Sequence, residues 1–87
     1  MLRITRQANE HSTLLKFEGA LRERWLEEVN AQVELARARG PSLKLDLADV
    51  TFVDAAGIAL LRGLLDDRAE LVSCSGFVAA SLGLETP

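Results

Sequence analysis

The sequence predicts an α/β fold: a small mixed four-stranded sheet with helices packed on it, in the order β-β-α-β-α-β-α, as a single domain over residues 1–87. Three observations carry this. Two alternating segments at the amino end face each other across a polar turn, the pattern of a hairpin. Two longer stretches with apolar residues three and four apart follow, and a short strand-like segment comes after each. A hairpin followed by alternating helices and strands implies a mixed sheet covered by helices, joined by right-handed crossovers.

The elements follow in order. Leu2-Arg3-Ile4-Thr5-Arg6 alternates as a half-buried strand, and Gln7 to Ser12 is polar and turn-like. Thr13 to Glu18 is the second strand, ended by Gly19. Leu21 to Arg39 reads as a helix, with Leu26, Val29, Val33 and Ala36 on one stripe and Trp25 widening it. Glu23, Glu27 and Glu28 stand near its start and Arg37 and Arg39 near its end, the charge order that a helix dipole favours. Trp25 reads as a core anchor, with a partner contact as the other reading of an aromatic of this size. Gly40-Pro41 stops the helix.

Leu43-Lys44-Leu45-Asp46-Leu47 then alternates as a strand, its three leucines on one side. Ala48 to Val53 is read as a short link leading to Asp54. From Ala55 to about Asp67 the pattern is helical again, and Ile58, Leu60, Leu61, Leu64 and Leu65 give it a wide apolar surface. A helix of that kind is either well buried or partly covered by a partner. Glu70 to Cys74 is the fourth strand, and Phe77 to Leu82 one short closing helix.

Composition excludes several functions. The formal net charge is −3 and the basic residues are scattered, so no basic face exists to release counterions from nucleic acid. Hydrophobic residues make up 48% and charged residues 26%, the balance of a soluble globular domain. No apolar run approaches the roughly 20 residues of a membrane span, and Met1 to Arg6 lacks the apolar stretch of a signal peptide, so a cytoplasmic protein without membrane insertion is expected. Cys74 is the single cysteine and reads as a small buried hydrophobe. No internal disulfide can form, and no metal-ligand spacing is present.

Catalysis finds no foothold. Asp46, Asp49 and Asp54 cluster in sequence, but a phosphoacceptor aspartate would need an early acidic pair and a later lysine, and the lysines are Lys16 and Lys44 alone. The sole histidine, His11, falls in the predicted hairpin turn, away from any nucleophile. No phosphate-binding glycine loop occurs. The chain is therefore expected not to be an enzyme and to carry neither cofactor nor metal.

The segment around Asp54 says more. Asp54 directly precedes a helix, where a carboxylate accepts hydrogen bonds from unpaired backbone N–H groups. Ala55 and Ala56 keep the first turn slim, and Gly57 costs a helix about 1 kcal/mol relative to Ala, which points to close packing or close approach. A plain capped helix fitted tightly against the sheet is one reading; capping together with partner binding is the other.

Leu45-Asp46-Leu47 followed by Val50-Thr51-Phe52-Val53-Asp54-Ala55-Ala56-Gly57-Ile58-Ala59-Leu60-Leu61 resembles the core motif of the STAS family, the domain shared by sulfate transporters and anti-sigma-factor antagonists. The family pattern is a strand ending in Asp-Leu, a short link, an apolar pair before Asp, two small residues, Gly and an apolar helix. Element order agrees over almost the whole chain, including Glu18-Gly19-Ala20-Leu21 before the first long helix, and Phe77 to Leu84 fits the closing helix. The connection Asp66-Asp67-Arg68-Ala69 is short for the family.

The resemblance implies a non-catalytic regulatory module that docks on a protein partner through the Asp54 loop and the following helix, with Asp54, Ala55, Ala56, Gly57 and Ile58 as the partner-binding residues. In the anti-sigma antagonists the residue after the motif Asp is a Ser or Thr that the partner kinase phosphorylates. Here that residue is Ala55, which has no hydroxyl, so the usual phospho-switch is missing and no phosphorylation site is assigned. The partner implied is an anti-sigma-type kinase or another signalling protein. A close variant is a small accessory subunit of a lipid-transport ABC system, with the transporter ATPase as partner. A small-ligand sensor, for instance for a nucleotide, and a self-associating homodimer are the readings from other classes.

Overall fold

The computed structural model describes residues 2–39 and 42–83. Strands β1 (Leu2–Ala8) and β2 (Thr13–Leu21) form an antiparallel hairpin, in which Ile4 pairs with Phe17 and Arg6 with Leu15. Its turn is closed by Asn9, whose Oδ1 accepts the N–H groups of His11 and Ser12 at 2.8 Å each. This is the local side-chain-to-backbone bonding that makes Asn a turn residue. β3 (Leu43–Val53) and β4 (Glu70–Cys74) complete one sheet in the order β1-β2-β3-β4, with β2–β3 and β3–β4 parallel. The predicted mixed four-stranded sheet with helices packed on it is therefore what the chain forms.

Helices α1 (Leu26–Arg39), α2 (Ala55–Asp66) and α3 (Gly76–Leu82) join one core with alternate residues of the strands. Leu15 and Phe17 of β2 and Leu43, Leu45 and Leu47 of β3 are buried beneath Val29, Val33 and Ala36 of α1, Leu61 and Leu64 of α2, and Val78 and Leu82 of α3. The period of two in the strands and of three to four in the helices puts these apolar sets on facing surfaces. The alternate residues of β2 and β3, Leu14, Lys16, Glu18, Lys44 and Asp46, are only half-buried. Two ion pairs lie among them and their neighbours: Lys16 with Asp49 at 3.3 Å, and Lys44 with Glu70 at 3.7 Å. No helix among the described residues is long and apolar enough to cross a membrane.

Besides β1, which takes Gln7 and Ala8 out of the expected turn, two elements differ from the sequence expectation. The first is β3, which continues through the supposed link to Val53. It runs over Leu43–Val53 while its partner runs over Thr13–Leu21, so β3 carries two residues more than β2. The register shifts between Lys16 and Glu18 and between Gly19 and Ala20 absorb them as bulges. A bulge breaks the alternation of side chains, so Ala48 and Asp49 are both exposed before Val50 turns inward again.

The second is the start of the first long helix. Leu21 is fully buried as the last residue of β2, opposite Val53, and Arg22 is extended (φ −122°, ψ 161°). A short 3₁₀ turn over Glu23–Trp25 precedes α1. Gly19 permits the strand to bend on the way: its φ of 105° lies where a side chain is strained. The stop expected at Gly40-Pro41 and the far end of the closing segment, Leu84, lie outside the described residues.

Candidate functional site

Asp54 stands where three elements meet, because β3 delivers it directly into α2 beside the end of β2. Its backbone N–H donates to the Leu21 carbonyl at 3.1 Å, and its side chain divides between two loops. Oδ1 accepts the Gly57 N–H at 2.8 Å, the N-cap bond of α2. Oδ2 accepts the Glu23 N–H at 2.8 Å, in the turn that follows β2. One carboxylate therefore ties the start of α2 to a turn 31 residues earlier in the chain.

These two N–H donors, Gly57 first and Glu23 second, hold the Asp54 carboxyl below the ordinary carboxylate range, and the nearby Arg22 charge acts in the same direction. Partial desolvation opposes them without prevailing.

The residues singled out by the resemblance separate by position. Ala55 is exposed, and Ala56 and Ile58 are half-buried. Gly57 is buried and faces the sheet. A Cβ built on it would lie 2.7 Å from Val53 Cγ1, 3.0 Å from the Leu21 carbonyl oxygen and 3.2 Å from Leu21 Cγ. Gly57 therefore acts from within, by letting α2 approach the ends of β2 and β3, and offers no surface of its own.

The apolar helix that the sequence left open as buried or partner-covered is largely packed by its own domain. Leu61 and Leu64 are buried, and Ile58, Leu60 and Leu65 are half-buried against the core.

The three aspartates that cluster in sequence do not converge in space: Asp46 accepts the Ala48 N–H at 3.1 Å, Asp49 pairs with Lys16, and Asp54 caps α2. Among the described residues no group of three or more His, Cys, Asp and Glu side chains is placed to hold a metal ion.

Around Asp54 the structure gathers residues that the motif does not include. Arg22, Glu23, Arg24 and Glu27 line a shallow cleft with it. The Arg22 guanidinium sits 4.4 Å from the centre of the Phe52 ring, and Phe52 lies 5.6 Å from Phe77. Ser75 caps α3 by accepting the Val78 N–H at 3.3 Å and donates its own hydroxyl proton to the Val50 carbonyl at 2.7 Å, which fixes α3 beside the end of β3.

All of this lies at or beyond the carboxyl ends of the parallel strands, the end at which open α/β sheets bind their ligands. Local spacing does not reveal Arg22 or Glu23 as neighbours of Asp54, since both fall in a helical pattern that starts at Leu21. Phe52 was within reach: Val50-Thr51-Phe52-Val53 is β-branched or aromatic throughout, a strand signal.

No protein-family model matches the chain, and no curated protein matches it.

Proposed function

We propose that this chain is a STAS-like, non-catalytic regulatory module that binds a protein partner through the Asp54 loop and the first turn of α2. The observation that carries the reading is the exposed Ala55 directly after an Asp54 whose two carboxylate oxygens are both engaged by backbone N–H groups. A loop fixed on both sides costs little ordering entropy when a partner arrives. Its slim residues, Ala55 and Ala56, let another surface come close.

Support comes also from the order of letters around Asp54 and from the position of the loop at the carboxyl ends of the strands. Since Ala55 has no hydroxyl, binding in this proposal is not switched by phosphorylation at that residue. The partner is an anti-sigma-type kinase or another signalling protein in the cytoplasm; a transporter ATPase is the variant.

The test is a tagged pull-down from native cells with wild type beside Ala55→Arg, read by mass spectrometry. A protein captured by the first and lost from the second supports the reading, and its identity decides between kinase and ATPase. Identical captures, or none, count against it. Melting shifts produced by nucleotides alone would move the function to a ligand sensor.

A further inference from the structure

Beside the Asp54 loop runs a strip of three side chains, Arg22, Phe52 and Phe77. The Arg22 guanidinium stacks over Phe52 at 4.4 Å from the ring centre, and Phe52 meets Phe77 with ring centres 5.6 Å apart and planes inclined by 39°. Phe77 is 44% exposed, one of few large apolar side chains left so open. Arg22 is exposed and, among the described residues, takes part in no ion pair and no side-chain hydrogen bond. Asp54 is close by, but its Oδ1 and Oδ2 are directed at the N–H groups of Gly57 and Glu23.

A guanidinium laid on an aromatic face has its plane fixed while its edge N–H groups stay free, and that planar fork matches a carboxylate with two parallel hydrogen bonds. The Phe77 ring beside it offers an apolar floor. An arginine anchor next to aromatic surface is the composition of interface hot spots.

The surroundings narrow what can bind. Glu23, Glu27 and Asp54 line the adjoining cleft with Arg22 and Arg24, three acidic groups against two basic ones, and the chain carries a net charge of −3, so a long polyanion would be repelled. A single carboxylate meets far less of that repulsion and gains the two parallel hydrogen bonds of the Arg22 fork.

We infer that Arg22, Phe52 and Phe77 recognise, in the protein partner, a segment in which an Asp or Glu stands beside a large apolar side chain. The inference rests on the reading that this end of the sheet docks a protein, and it assigns the chemistry of the segment that docks.

The experiment is selection of random peptides displayed on phage against the full chain, followed by titration of the enriched peptide into variants. Enriched peptides carry an acidic residue next to a Leu, Ile, Phe or Met. Arg22→Ala and Phe77→Ser each weaken binding on the order of tenfold; Arg22→Ala melts as wild type does because its side chain is exposed, and Phe77→Ser, which loses the contact with Phe52, stays folded with a lower melting point. Arg22→Lys weakens it too, since the charge remains but the fork does not.

Peptides without a carboxylate, no enrichment at all, or equal binding by Arg22→Lys and wild type overturn the inference. So does tighter binding of an oligothymidylate probe than of the peptide. Ala55→Arg separates the two proposals. If it abolishes peptide binding while the Arg22 and Phe77 variants bind normally, the docking reading stands and this inference falls. The reverse pattern keeps the strip and removes the Asp54 loop.

Discussion

Gly57→Ala tests how α2 is seated. Replacing a helical glycine by alanine ordinarily stabilises by about 1 kcal/mol. Here the new methyl would sit 2.7 Å from Val53 Cγ1 and 3.0 Å from the Leu21 carbonyl oxygen. Val53 is buried and β-branched, so its side chain has little freedom to turn away. The Leu21 carbonyl is backbone and already accepts the Asp54 N–H, so moving the helix outward would stretch that bond.

Overpacking of this kind costs about 1–3 kcal/mol, which cancels or outweighs the propensity gain and leaves a net loss of up to about 2 kcal/mol. For a domain of this size that lowers Tm by up to roughly 15 °C. Gly63→Ala is the matched control. Gly63 lies in the same helix with nothing within 4 Å of the added Cβ, so the substitution there stabilises by about 1 kcal/mol. Thermal melts followed by circular dichroism read both. A Gly57→Ala protein that gains stability as Gly63→Ala does would refute the close seating of α2 on Leu21 and Val53.

Three further outcomes are expected. Phe17→Ala, at a fully buried position in the middle of β2, costs about 3–5 kcal/mol in urea titration; less than about 1 kcal/mol would show that the site is not packed as described. Arg68 is the one non-glycine residue with positive φ among those described, at 71°, and its side chain is exposed. Arg68→Gly relieves that conformation at some cost in chain entropy and raises stability by about 0.5–1 kcal/mol, whereas a loss would show that the residue is not strained.

Asp54 sets an acid dependence. Its carboxyl titrates lower in the folded chain than in the unfolded one, so its contribution to stability is fully present above the unfolded value, near pH 4, and is lost as pH falls through the folded value. Stability measured from pH 7 down to pH 2 therefore falls further in wild type than in Asp54→Asn; parallel curves would deny the carboxylate that role.

Much of the fold was legible because burial follows periodicity. The stripe Val29, Val33 and Ala36 and the alternating Leu43, Leu45 and Leu47 are core residues in the structure as in the pattern. What stayed hidden has a common cause: it depends on residues far apart in the chain. Two bulges in β3 broke the alternation, so that a strand looked like a link. Leu21 and Arg22 looked helical because their neighbours Leu26 and Val29 are, yet pairing with Val53 draws Leu21 into β2.

The candidate site divides in the same way. That Asp54 would cap α2 could be read from its place before a helical pattern. The bond from Glu23 N–H to its second oxygen, and the stacking of Arg22 on Phe52, arise only once β2 and β3 lie side by side. Gly57 carried an ambiguous signal, close packing or close approach by a partner, and its place against Leu21 and Val53 gives it the first role.

The most direct test of the docking surface is calorimetric titration of the captured partner into wild type and Ala55→Arg, with the melting curve of each protein recorded alongside. Because Ala55 is exposed, the variant is expected to lie within about 0.5 kcal/mol of wild type in stability and to show no measurable partner binding. A variant that binds as wild type does, or one that melts like Phe17→Ala, would contradict it.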